Sequence, residues 1–383
     1  MERENSRSNQ GPVLRLALVH DWLNQIGGAE DVLETLVDLF PRAPVYTSIY
    51  WRERMPPGYR EWDIRTSWMD HLPGIHRHHQ PYLPLYPLAF QGLDLAGYDV
   101  VLSNKSGFCH TVRAGDAVHI CYCLTPTRYV WDYDRYAKRE AIPTWLKTAL
   151  QPLIALLRRW DYRAAQRVDR FVAISHTVEE RIRRFYGREA TVIYPPVETS
   201  RFQPAASHED YYLIVSRLIP YRQIDLAVEA FNRLGRPLRI AGDGRDRERL
   251  EGLAGPTVTF LGRVPDADLP GLMARCRAYI LPGDEDFGIA PVQAQAAGRP
   301  VIALGAGGAL DTVIEGETGT FFRQPTPAAL AEAVRRFDPE QVDPAACARN
   351  AARFDTAVFK QHLTELIETI AGGSPPGQIE GGT

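Results

Sequence analysis

No apolar run in this chain reaches the ~18 residues that a membrane-spanning helix needs. The longest candidate, Trp145 to Leu157, is broken by Lys147, Gln151 and Pro152, so peripheral contact is all it supports. Neither sign of charge dominates. Lys and Arg number 44 against 47 Asp and Glu, a formal net charge of −3 at pH 7, so the basic footprint expected of a nucleic-acid binder is missing. Cysteine is scarce: Cys109, Cys121, Cys123, Cys276 and Cys347 are odd in number and scattered, which argues against a disulfide framework and for a reducing cytoplasm. There is no GxGxxG fingerprint and no Walker GxxxxGK[ST] loop. The leader MERENSRSNQGP is polar with no apolar segment behind it, so neither a signal peptide nor an anchor is expected.

What is present is globular. The 383 residues are 45% hydrophobic and 24% charged, enough for two domains with sizeable cores. The segment LRLALVH (14–20) reads as a buried parallel strand, followed by a glycine turn and the helix-like AEDVLETLVDLF. Val45–Ile49, Asp99–Leu102, Val118–Tyr122 and Phe171–Ile174 are further strand candidates, and 143–167 reads as one helical stretch. The paired prolines of IYPPVETSRFQPAASHED mark an interdomain linker. Beyond it, YYLIVSRL, RPLRIAGDG, VTFLGRV, AYILPG and RPVIALGAGG each join a short apolar strand to a Gly- or Pro-containing loop, with helices between. The expected organisation is therefore α/β. It comprises a disordered leader (1–12), a first doubly wound Rossmann-like domain (13–195), a linker (196–210), a second such domain (211–354), an amphipathic helix (355–371) and a disordered tail (372–383). In the helix Val358, Leu363, Leu366, Ile367 and Ile370 share one face. Two sheets of this type place their ligand-binding carboxyl ends around a common cleft, with a nucleotide as the default ligand.

Three segments carry candidate chemistry. Gly27-Gly28, between a strand and a helix, lets backbone N–H groups approach an anion, although glycines also make ordinary turns. Arg217 and Arg222 follow a strand of the second domain; two guanidiniums suit a diphosphate, while a solvated basic loop is the plainer reading. In PGDEDFGIAPVQAQAAGRPVIA, Asp284, Glu285 and Asp286 precede Phe287-Gly288 and a helix carrying Gln293 about two turns along. Acids in such a place also serve as caps.

Together these segments, with SNKSGFCHTVR, CYCLTPTRYVWDY, FVAISHTVEERIRRFYG, VIYPPVET, FLGRV and ETGTFF, occur in an order and spacing that resembles glycosyltransferase family 4, a GT-B fold group, and in particular its bacterial polysaccharide mannosyltransferases. The resemblance implies a retaining hexosyl transfer that needs no metal and no cofactor. Its donor substrate would be a nucleotide sugar, GDP-mannose favoured, and its acceptor a glycan or lipid-linked hydroxyl bound by the first domain. By the same resemblance His110 would contact the sugar at the reaction centre, Arg217 and Arg222 would neutralise the leaving diphosphate, and Glu285 would hold sugar hydroxyls. Gly27 and Gly28 would lie near the diphosphate, Phe287, Gly288 and Ile289 would offer backbone contacts, Gln293 would face the ribose, and Val264 would border the base. Three positions depart from the family pattern: Gln293 stands for Glu, Arg222 for Lys and Leu124 for His. They motivate an alternative, a catalytically weakened relative that binds a sugar nucleotide or a partner. A sugar-nucleotide epimerase on the same fold is a further one.

Other features point less far. Asp132-Tyr133-Asp134 is a D-x-D in charged, aromatic surroundings and reads as surface. His71, His76, His78 and His79 sit in a Pro/Tyr-rich loop without a ligand partner at metal spacing, and Cys121 and Cys123 alternate along an apolar strand as core residues do. The arginines at 158, 159, 163, 167, 181, 183, 184 and 188 read either as a solvated face or as contact with an anionic membrane beside the apolar 145–157 stretch.

Overall fold

The computed structural model describes residues 14–139 and 142–371. The leader (1–12) and tail (372–383) expected to be disordered lie outside the described residues.

The first half forms a seven-stranded sheet from β1 (Leu16–His20), β2 (Val45–Thr47), β3 (Ile64–Thr66), β4 (Val100–Lys105), β5 (Val118–Cys123), β6 (Arg170–Ala173) and β7 (Ala190–Val192). All neighbours are parallel, in the order β3-β2-β1-β4-β5-β6-β7. The second half forms a six-stranded parallel sheet from β8 (Tyr212–Val215), β9 (Leu238–Ala241), β10 (Val258–Gly262), β11 (Ala278–Leu281), β12 (Val301–Leu304) and β13 (Gly319–Phe322), in the order β10-β9-β8-β11-β12-β13. Central strands such as β1, β4, β11 and β12 are buried along their whole length, because helices cover both faces of a parallel sheet.

Each sheet reverses its winding at its centre, between β1 and β4 in one and between β8 and β11 in the other. Loops leaving adjacent strands at such a point diverge to opposite faces and open a crevice at the carboxyl edge. The four loops concerned carry Gly27-Gly28, Ser106, Arg217 with Arg222, and Glu285. Topology thus gathers segments far apart in sequence.

The expected single helix 143–167 is two, Thr144–Ala149 and Gln151–Ala165, with Pro152 in the first turn of the second, where its missing N–H costs no hydrogen bond. The last helix, Thr356–Ala371, returns to the first domain. Phe359 meets Tyr122 of β5 edge-on at 5.5 Å, and Lys360 ion-pairs with Asp38 on the helix Gly28–Leu39. Its buried residues are Phe359, Leu363 and Ile367, so Phe359 rather than Val358 leads the apolar face.

Candidate active site

A cleft of about 1120 Å³ runs between the two sheets, lined by residues of both domains. That volume is ample for a nucleotide sugar.

On the first-domain side the wall begins after β1. Asp21 is wholly buried, and its carboxylate accepts hydrogen bonds from the backbone N–H groups of Ser106 and Gly107 at 2.6 Å and of Cys109 at 2.8 Å. This pins the loop after β4 beneath the cleft. A side chain at Gly107 would sit 2.8 Å from the Trp22 ring and 2.9 Å from Asp21, so glycine alone fits there. Ser106 consequently lines the cleft while His110 turns inward. Gly27 and Gly28 open the helix Gly28–Leu39, and a Cβ on Gly28 would come within 3.2 Å of Ile289 across the cleft.

On the second-domain side, β8 leads into Arg217, which is exposed and makes no side-chain hydrogen bond or ion pair among the described residues. Arg222 ends the turn Pro220–Arg222 and ion-pairs with Glu285 from the loop after β11; the two side chains are 19% and 17% exposed. A Cβ at Gly283 would lie 2.6 Å from the Arg222 carbonyl oxygen, so the glycine allows the two loops to meet. Burial works against the Arg222 charge, but Glu285 and Tyr221 more than offset it and raise its basicity. Asp286, next along and also in the cleft lining, bridges the domains through Arg128 and Arg181. Burial opposes its charge too, yet the two guanidiniums hold its carboxyl below the usual carboxylate range.

The cleft lining carries both signs of charge. Arg128 and Arg222 meet at the Glu285-Asp286 loop, with Arg217 on the same strand-end loop as Arg222, and form a basic end. Asp31, Glu34, Glu198 and Asp266 act on one another as an acidic wall, in which Arg201 pairs with Glu198 and Lys360 with Asp38. Asp31 opens outward to solvent but lies between the cleft walls. Desolvation first, then Glu34, Glu30, Asp266 and Glu198, push its carboxyl up to about 7. Sequence reasoning missed this wall. Its signal was the i, i+3, i+7 spacing of Asp31, Glu34 and Asp38 on one helix face.

Of the residues singled out from sequence, Gly27, Gly28, Arg217, Arg222, Glu285, Phe287, Gly288, Ile289 and Gln293 all line the cleft, as does Leu124. Two do not. His110 is 1% exposed and packs on the buried Asp161, with Nε2 3.4 Å from Oδ1. Burial, with Lys105 and His119 nearby, keeps its basicity far below that of an ordinary histidine. A neutral imidazole in the core is not a group facing a sugar, and Ser106 occupies the cleft position of that loop. Val264 is half-buried against the core, and Arg263 and Asp266 beside it line the cleft instead.

The discounted features fall away from the cleft. Asp132 and Asp134 are exposed, and Asp134 pairs with Lys147. His76 pairs with Asp70, and His79 contacts Tyr86. All five cysteines are buried and free. Among the described residues no cluster of three or more His, Cys, Asp or Glu is placed to hold a metal ion.

Two doubly wound domains facing across a cleft define the GT-B class. The solved structure of HepE from Anabaena with UDP-glucose shares this fold at a TM-score of 0.69 and 18% identity, covering 92% of this chain and 99% of that one. The sequence narrows the class. Residues 26–201 match the model described as Glycosyltransferase Family 4, and residues 197–354 the one described as Glycosyl transferases group 1, so the chain belongs to glycosyltransferase family 4. It is 30% identical over 225 residues to glycogen synthase of Mycobacterium tuberculosis, covering 54% of this chain and 53% of that protein. It is 28% identical over 233 residues to the GDP-mannose-dependent alpha-(1-6)-phosphatidylinositol monomannoside mannosyltransferase of Mycolicibacterium smegmatis, covering 52% and 61%. The chain thus spans about half the length of the curated relatives it matches.

Proposed function

We propose that the protein transfers a hexose from a nucleotide sugar to a hydroxyl acceptor with retention at the anomeric carbon, mannose from GDP-mannose being the favoured donor. The observation that carries the reading is the conjunction of unpaired Arg217 with the Arg222–Glu285 pair at the mouth of the second sheet. In this reading the diphosphate leaves onto Arg217 and Arg222, which supply the charge that a metal ion supplies in other transferases. Glu285 accepts hydrogen bonds from sugar hydroxyls while Arg222 fixes its orientation. The bond from the anomeric carbon to the diphosphate oxygen breaks as the bond to the acceptor oxygen forms. The acceptor proton passes to the departing phosphate, on the same face of the sugar. The mannosyltransferase among the relatives favours GDP-mannose, and the UDP-glucose complex of the structural neighbour keeps other nucleotide sugars in the comparison. Thermal melting with GDP-, UDP-, ADP- and dTDP-sugars tests the reading, since a ligand of the folded state raises its stability. GDP-mannose is expected to give the largest shift; no shift with any of them favours a non-catalytic relative.

The acceptor is read as a glycan or lipid-linked alcohol met at an anionic membrane surface. Trp145 is 72% and Leu156 58% exposed, near the exposed Arg159, Arg163 and Arg167, and the one acid between 144 and 168, Asp161, is buried. No helix among the described residues is long and apolar enough to cross a membrane. Five buried free thiols fit a reducing compartment, and we place the protein in the cytoplasm on that basis. Co-sedimentation with vesicles containing phosphatidylglycerol, but not with neutral ones, is the expected result; binding to neither removes the membrane from the account.

A further inference from the structure

One cleft arginine comes from the acceptor domain. Arg128 opens the short helix Arg128–Trp131 after β5, lines the cleft, and reaches across it to ion-pair with Asp286, next in sequence to Glu285. Its guanidinium lies 5.9 Å from the centre of the Tyr221 ring, and that of Arg222 lies 5.1 Å from the same ring. Two cations from opposite domains therefore converge on one aromatic ring. Desolvation opposes the charge on Arg128, Asp286 and Tyr221 sustain it, and Arg222 is close enough to depress it. Like charges brought together in a cleft are stabilised by an anion between them. Asp286 does not depend on Arg128 alone, because Arg181 pairs with its other carboxylate oxygen from outside the cleft lining. If Arg128 is drawn to another anion, Asp286 keeps a counter-ion.

Resting on the donor reading above, we propose that Arg128 is a third phosphate-binding arginine, delivered from the acceptor domain, which leaves Asp286 to grip the nucleoside diphosphate opposite Arg217 and Arg222. A diphosphate offers more acceptor oxygens than two guanidiniums occupy, so a third fork has partners. Supplied from the opposite domain, it couples donor binding to apposition of the two domains: the phosphate site is complete only when both face the cleft.

The test is calorimetry of the full chain with GDP, UDP and ADP, and NMR titration with guanosine, uridine and adenosine, on wild type, Arg128→Ala, Arg128→Lys and Arg181→Ala. For the diphosphate that wild type binds, Arg128→Ala is expected to weaken affinity at least about tenfold while the matching nucleoside changes less than about twofold. Arg128→Lys, which keeps the charge and safeguards the test if the alanine variant fails to fold, should fall between. Arg181→Ala removes the counter-ion that Asp286 keeps when Arg128 leaves it, and should weaken diphosphate binding by clearly less than Arg128→Ala does. Equal diphosphate affinity in wild type and Arg128→Ala overturns the inference and leaves the donor reading standing. Equal losses in Arg128→Ala and Arg181→Ala also overturn it, assigning Arg128 to domain clamping. Failure of wild type to bind any of the three diphosphates takes down both.

Discussion

Replacing Arg217 by alanine separates chemistry from folding more cleanly than any other change in the cleft. Arg217 is exposed and unpaired among the described residues, so its removal leaves no buried charge behind and should alter stability by no more than about 0.5 kcal/mol. Arg222 offers no such separation. Its loss strands the mostly buried Glu285 without a counter-ion, a change that costs about 3–5 kcal/mol where burial is complete and somewhat less at this depth. On the proposed reading, Arg217 would make charge-assisted hydrogen bonds to the departing diphosphate worth about 1.5–3 kcal/mol each. Loss of two of them would raise the barrier by about 3–6 kcal/mol, or about 10²–10⁴ in kcat. The assay is transfer or hydrolysis of the donor found by thermal melting, read beside the melting curve of the same preparation. Unchanged melting with a collapse of kcat is the expected pair of results. A variant that folds and turns over within a few-fold of wild type would refute the placement of the diphosphate.

Two further changes probe other parts of the cleft. Gln293→Glu restores the carboxylate of the family pattern, and if position 293 faces the ribose it should strengthen nucleotide binding by about 5–10-fold in calorimetry; an unchanged affinity would remove it from the nucleotide site. Asp31 carries a carboxyl whose folded value, about 7, exceeds the ordinary 3.8, so the associated stability is fully present below about pH 4 and is lost as pH rises through 7. Asp31→Asn should therefore match wild type in melting at pH 4 and exceed it at pH 8, by about 1 kcal/mol once solvent screening is allowed for. Parallel melting curves across that window would show that the Asp31 carboxyl is neither desolvated nor repelled by the acidic wall in the folded protein.

The central strands of both sheets were legible because burial on two faces leaves continuous apolar runs, as in LALVH and AYIL. The strands missed were β3, β7 and β13, each at a sheet edge. The three-residue β3 and β7 are half-exposed, and their IRT and ATV give too few positions for any periodicity. The segment from Asp284 to Gln293 was legible as a site because its acids, turn and helix are contiguous. His110 misled for the opposite reason. Which side of the loop after β4 meets the cleft depends on Asp21, more than eighty residues away, gathering the loop's backbone N–H groups and rotating Ser106 outward. Arg128 was hidden likewise, since its partner Asp286 and its neighbour Arg222 lie in the other domain. Local patterns reveal elements and contiguous motifs; contacts across the cleft require the fold.

The central claim is that the cleft holds a nucleotide sugar with its diphosphate at the basic end. A crystal structure with the intact donor bound tests it most directly. Diphosphate oxygens within hydrogen-bonding distance of Arg217 and Arg222, with sugar hydroxyls on Glu285, are the expected result. A donor bound with its diphosphate away from both arginines, or with its sugar turned from Glu285, would contradict the account.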